Sequence, residues 1–215
     1  MPEGISADAR QTWPSAALVD SWLAYDLDLR DPGPSGTALH PGEESSLDPA
    51  DPQAVAAARH FRDVIGRFAS GITVVTALSN GEPVGLTCQS FSSVSLDPPL
   101  VLFVPARTSR AWPAIQRSGR FCVNVLAADQ IDVSNQMASR GADKFAGLDW
   151  RPAPVTGSPL LGGTVAFVDC SIEAVHEAGD HFIVVGRVLA LDAGPGAPAD
   201  TDPLLYYRGA YRTTR

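Results

Sequence analysis

Basic charge is what this 215-residue sequence is short of: 16 Lys and Arg stand against 24 Asp and Glu, for a net charge of -8 and a pI near 4.8. A chain so charged has no cationic footprint for a nucleic-acid backbone and is repelled by an anionic bilayer, so neither is an expected partner. Long apolar runs are missing as well. None approaches the roughly 20 residues of a spanning helix, and the first residues show neither the basic nor the apolar region of a signal peptide. The expected location is therefore cytoplasmic. Cysteine is sparse, and Cys88, Cys122 and Cys170 have no short spacing, so neither a disulfide framework nor a metal site is expected. Cys122 and Cys170 sit in apolar runs and read as small core residues, whereas Cys88 lies among polar groups and is placed to face a ligand. No GxGxxG, P-loop or nucleophile elbow occurs, and the four histidines are scattered. These absences leave no catalytic residue to assign.

What is present falls into two unlike parts. Residues 1–52 are dominated by Pro, Gly, Asp, Ser and Ala and read as an irregular extension. One island interrupts them, where Leu18, Trp22, Tyr25 and Leu29 recur at helical spacing behind Ser15 as a cap. Residues 53–215 form the folded domain. A helix opens it near Pro52, and Phe61, Val64, Ile65 and Phe68 make an apolar stripe, ended by Gly71, that is expected to cover a sheet.

The sheet is organised around residues 85–100, which place seven hydroxyl, thiol or amide side chains (Thr87, Cys88, Gln89, Ser90, Ser92, Ser93, Ser95) between apolar runs. Residues 71–77 are β-branched and lead into Asn80-Gly81, a hairpin signal. Asp97-Pro98-Pro99 stops the polar segment and Leu100–Val104 resumes as a buried strand. Polar groups held between strands offer donors to a flat ligand bearing a phosphate. Thr108–Arg117 combines a loop with a helix start carrying Pro113, flanked by Arg107 and Arg110, which suits an anion. Phe121–Leu126 reads as a strand, Asp129–Ser139 as a helix capped by Asp129, and residues 143–150 as a loop over a pocket. Two long strands joined by Glu177–Asp180 and a tyrosine-rich terminus complete an antiparallel, mainly β architecture with a few short helices.

The polar stretch resembles the signature of the short-chain flavin reductases, the reductase partners of two-component flavin monooxygenases. Six further motifs follow in that family's order: residues 68–76, 105–112, 118–125, 143–147, 179–182 and 203–209. Within that family the chain most resembles reductases that serve steroid-degrading monooxygenases, Cys88-Gln89 included. The resemblance implies an FMN-binding split β-barrel, a homodimer, and hydride transfer from NADH (or NADPH) to FMN (or FAD), with reduced flavin passed to a flavin-dependent monooxygenase. It also implies that Thr87, Cys88, Gln89 and Ser90 line the isoalloxazine and ribityl, and that Arg107, Thr108, Ser109 and Ala111 hold the phosphate, completed by Lys144 and Phe145. His181 falls in a Gly-Asp-His motif associated with nicotinamide binding, and Tyr207-Arg208 is expected on the same face. A flavin-binding sensory barrel without nicotinamide turnover is the alternative reading, and a split-barrel oxidase acting on its own substrate is a third.

Overall fold

The structure, a computed structural model, describes residues 51–140 and 143–214. The expected helix around Trp22 lies outside them. The described chain runs α1 (Pro52–Ile65), β1 (Ser70–Gly71), β2 (Thr73–Ser79), β3 (Glu82–Cys88), β4 (Ser92–Leu96) and β5 (Pro99–Phe103). It continues through α2 (Trp112–Ser118), β6 (Arg120–Val125), α3 (Ile131–Ala138), β7 (Trp150–Pro152) and β8 (Pro159–Leu161). Two long strands, β9 (Ala166–Ala178) and β10 (His181–Ala193), precede the short β11 (Leu205–Tyr207) and β12 (Ala210–Arg212).

Seven strands form one antiparallel sheet in the order β3-β2-β6-β9-β10-β5-β4. Asn80 (φ 55°) and Gly81 (φ 84°) both adopt positive φ, so β2 and β3 meet in the two-residue turn that the Asn-Gly pair favours. Gly179 (φ 62°) takes the first position of the turn between β9 and β10, and pairing begins at once with His181 opposite Ala178. The sheet curls on itself: Leu86 and Cys88 near one edge and Val101 and Phe103 near the other join a single cluster with Val75, Phe121 and Val184. Trp112 and Ile115 of α2 complete that cluster, with Trp112 and Phe121 both edge-on to Phe103. This is the expected split β-barrel. Side chains alternate in direction along β2, so Val74, with Ile72 just before the strand, faces a second cluster outside the barrel with Leu126, Met137, Phe145 and Leu204. A buried Asp169 carboxylate accepts from the Val155 and Thr156 amides and the Thr156 hydroxyl, fixing the turn between β7 and β8. Cys122 and Cys170 are fully buried, as core residues should be.

Several local expectations give way. Helix α1 ends at Gly66, whose N–H bonds to Arg62 O, so Phe68 lies beyond it; Val64, Ile65 and Phe68 (80 % exposed) face outward while Ala54 and Ala58 are buried. The stripe therefore does not cover the sheet of its own chain. Asp129 does not cap α3: Gln130 stands at the cap, and its amide instead accepts from Ala127 N–H and donates to Gly162 O. Strand β5 alternates rather than burying every residue, because only the face carrying Val101 and Phe103 packs inside the barrel.

Candidate cofactor site

The polar stretch divides between the two faces of β3. Gly85 and Thr87 point to α3, and Leu86 and Cys88 point into the barrel. The Thr87 hydroxyl donates to Ser134 O (2.6 Å), and Ser134 Oγ in turn pairs with the Tyr211 hydroxyl (2.9 Å). The buried Cys88 thiol lies 3.0 Å from Ser90 Oγ. Ser90 accepts from Val104 N–H (2.9 Å) and donates to Val104 O (3.2 Å). Ser92 pairs with Leu102, so Ser90 and Val104 face each other two positions further on, and the hydroxyl takes over beyond the end of the backbone ladder. Gln89 is half-buried beside it. The wall is thereby attached to the segment that carries the arginines.

That segment is attached in turn to the tip of the β9–β10 hairpin. Phe182 N–H bonds to Pro105 O (2.9 Å), Arg107 N–H bonds to Asp180 O (2.8 Å), and Ala106 bridges His181. The Arg107 guanidinium pairs with Glu177 (2.9 Å) and lies 5.1 Å from the Phe182 ring centroid. His181 Nδ1 sits 2.9 Å from Asp180 Oδ1, with both side chains mostly buried. A carboxylate there favours the tautomer with the proton on Nδ1 and leaves Nε2 for another partner. Thr108 is exposed and Ala111 half-buried, while Ser109 Oγ accepts from Trp112 N–H (3.3 Å), the first amide of α2.

Lys144 and Phe145 lie on a turn that is held down by its own contacts. Phe145 is buried, with its ring edge-on to Trp150 (6.3 Å) and close to the face of Gly85. The Lys144 ammonium donates to Met137 O (2.7 Å) and Gly85 O (3.3 Å). Burial, and then the nearby charge of Arg110, lower its pKa below the usual lysine value. Lys144 and Arg110 thus put two positive charges at this side of the polar stretch, whose Thr87 and Ser90 hydroxyls are already bonded within the chain. A cavity of about 380 Å³ against Trp150, Leu160, Gly162 and Pro195 shares none of the expected site residues.

Tyr207 and Arg208 are not brought to His181 within one chain. Their hairpin packs on the outer cluster through Tyr206 and Tyr211, and Arg208 N–H bonds to Gly66 O (2.8 Å), whereas Phe182 packs on the inner cluster. Glu177, Asp180 and Val104, expected only as parts of a turn, a motif and a strand, enter the site through their contacts with Arg107, His181 and Ser90. The missed signal was Gly179, which as the first residue of a two-residue turn pairs Glu177 with Phe182 instead of leaving it in a loop.

The family model described as Flavin reductase like domain matches residues 65–215. The reductase subunit HsaB of a flavin-dependent monooxygenase from Mycobacterium tuberculosis is 52 % identical over 153 residues, which is 71 % of this chain and 80 % of that protein. A flavin reductase from Pseudomonas putida is 46 % identical over 152 residues, covering 70 % and 86 % of the two chains. Among solved structures, nitrilotriacetate monooxygenase component B from Mycobacterium thermoresistibile superposes with a TM-score of 0.71 at 49 % identity, over 75 % of this chain and 88 % of that one. The NADH:FAD oxidoreductase SgcE6 of Streptomyces globisporus, in complex with NAD and FAD fragments, gives 0.66 at 34 % identity over 77 % and 94 %.

Proposed function

This chain belongs to the flavin reductase like family, and we propose that it is an NAD(P)H:flavin oxidoreductase that supplies reduced FMN or FAD to a separate flavin-dependent monooxygenase. The observation that supports the reading is the continuous attachment from Ser90 through Val104 and Arg107 to His181, which joins the polar stretch expected to meet flavin to the hairpin expected to meet nicotinamide. Nicotinamide and flavin together supply the hydride chemistry, so the chain needs no acid, base or metal of its own. Its residues bind and orient. Arg107, Thr108, Ser109 and Ala111 hold the phosphate, with Lys144 as a second cation braced by two carbonyls and Phe145 as the packing beneath it. Thr87, Cys88, Gln89 and Ser90 form the wall, and His181 meets the nicotinamide with its orientation set by Asp180.

Tyr207 and Arg208 belong to the same site in this reading, supplied by a second copy of the chain. Their placement on the opposite face supports a homodimer, as do the exposed Val64, Ile65 and Phe68 next to Gly66. An apolar patch of that kind marks an interface. The folded domain is taken as residues 53–215, with 1–52 as an extension, and the protein as cytoplasmic.

The test is direct. Purified protein with catalytic FMN or FAD should bleach the absorbance band of NADH or NADPH. Failure with both nucleotides would sink the proposal, and flavin binding without that bleaching would leave a sensory flavin barrel. Light scattering should give twice the monomer mass.

A further inference from the structure

Arg107, the cation assigned above to the flavin phosphate, already has an anionic partner within the chain. Its Nη2 lies 2.9 Å from Glu177 Oε2, and its guanidinium covers the Phe182 ring at 5.1 Å. Glu177 and Phe182 face each other across the hairpin, and the Arg107 backbone is fixed to Asp180 O on the same turn. Sheet register therefore places the carboxylate at the guanidinium. The two side chains are 41 % and 77 % exposed, so the ion pair is wet and yields to a stronger anion. A phosphate monoester is such an anion, carrying close to two charges and three strong acceptor oxygens.

We propose that Glu177 is an internal stand-in for the flavin phosphate. It holds Arg107 over Phe182 until a phosphate-bearing flavin displaces it, which makes it a specificity-determining residue. The inference rests on the flavin reading of the site and adds a consequence to it. Phosphorylated flavins compete with Glu177 for Arg107, whereas a flavin lacking phosphate does not. Because Phe182 follows His181, the exchange also removes an ion pair from the nicotinamide hairpin as flavin arrives.

Wild type and Glu177→Gln should be titrated with FMN and with riboflavin by flavin fluorescence, at low and raised salt. The variant should bind FMN about two- to five-fold more tightly, the range an exposed ion pair supplies, with the gain shrinking in salt. Riboflavin binding should not change. FMN binding that is unchanged or weakened in the variant, or a shift shared equally by both flavins, overturns the proposal. Wild type that binds neither flavin defeats the underlying reading, and the proposal with it.

Discussion

Ser90 and Val104 are joined twice: the hydroxyl accepts from the Val104 amide at 2.9 Å and donates to its carbonyl at 3.2 Å. A side chain thus performs the role of a backbone ladder pair where β4 and β5 part, and both the polar wall and the arginine segment hang from it. Ser90→Ala leaves a half-buried amide and carbonyl without this partner, and should cost about 1–3 kcal/mol of stability. It should also weaken flavin binding, since Arg107 follows three residues after Val104. Ser90→Thr keeps the hydroxyl and should restore both. Thermal melts with flavin titration check this; a full-strength alanine variant would show that the segment is held elsewhere.

His181→Ala should raise the KM for NADH several-fold, corresponding to about 1 kcal/mol for one lost hydrogen bond, and leave flavin affinity nearly unchanged. Asp180→Asn should move the same parameter in the same direction by a smaller factor, because it disturbs the tautomer and not the contact. Steady-state kinetics with both substrates varied decide between the roles. Lost flavin affinity with an unchanged NADH dependence would reverse the assignment.

Alkali should destabilise the fold. Burial raises the Cys170 thiol from 9.0 to about 12 and the Tyr206 phenol from 10.0 to about 12, and it raises Cys122 and Tyr211 as well. Each of these groups keeps its proton in the folded state after the unfolded chain has released it. The folded state thus binds more protons between pH 9 and 12, and stability falls as pH rises, by up to about 1.4 kcal/mol per pH unit for each of Cys170 and Tyr206. Lys144 acts in the opposite sense, since its lowered pKa makes the unfolded chain the better proton binder. Urea midpoints measured from pH 8 to 11 should decline. The three thiols, all buried, should resist Ellman's reagent until the protein unfolds.

Gly194 allows two backbones to meet. A methyl group there would lie 1.6 Å from the Thr164 carbonyl oxygen, whose position is part of the backbone and not a side chain that can swing aside. Gly194→Ala should cost more than about 3 kcal/mol or prevent folding. A melting temperature within a few degrees of wild type would mean that the β10 end relaxes freely.

Much of this protein was determined by neighbours in sequence. Asn80-Gly81 sets its own turn through positive φ, Pro113 places itself in the first turn of α2, and the apolar runs around Cys122 and Cys170 bury them. Such features depend on dihedral preferences and hydrophobic pattern over a few residues, which a sequence displays directly. The tertiary structure alone decided that Phe145 packs beneath Gly85, that the α1 stripe faces outward, and that Arg107 meets Glu177 from 70 residues away. These follow from the register of β10 against β5 and β9 and from how far the sheet curls, quantities fixed by the sum of many weak pairings. One tight turn at Gly179 carries that register to the site, aligning Glu177 and Phe182 under Arg107 and placing His181 beside Ala106.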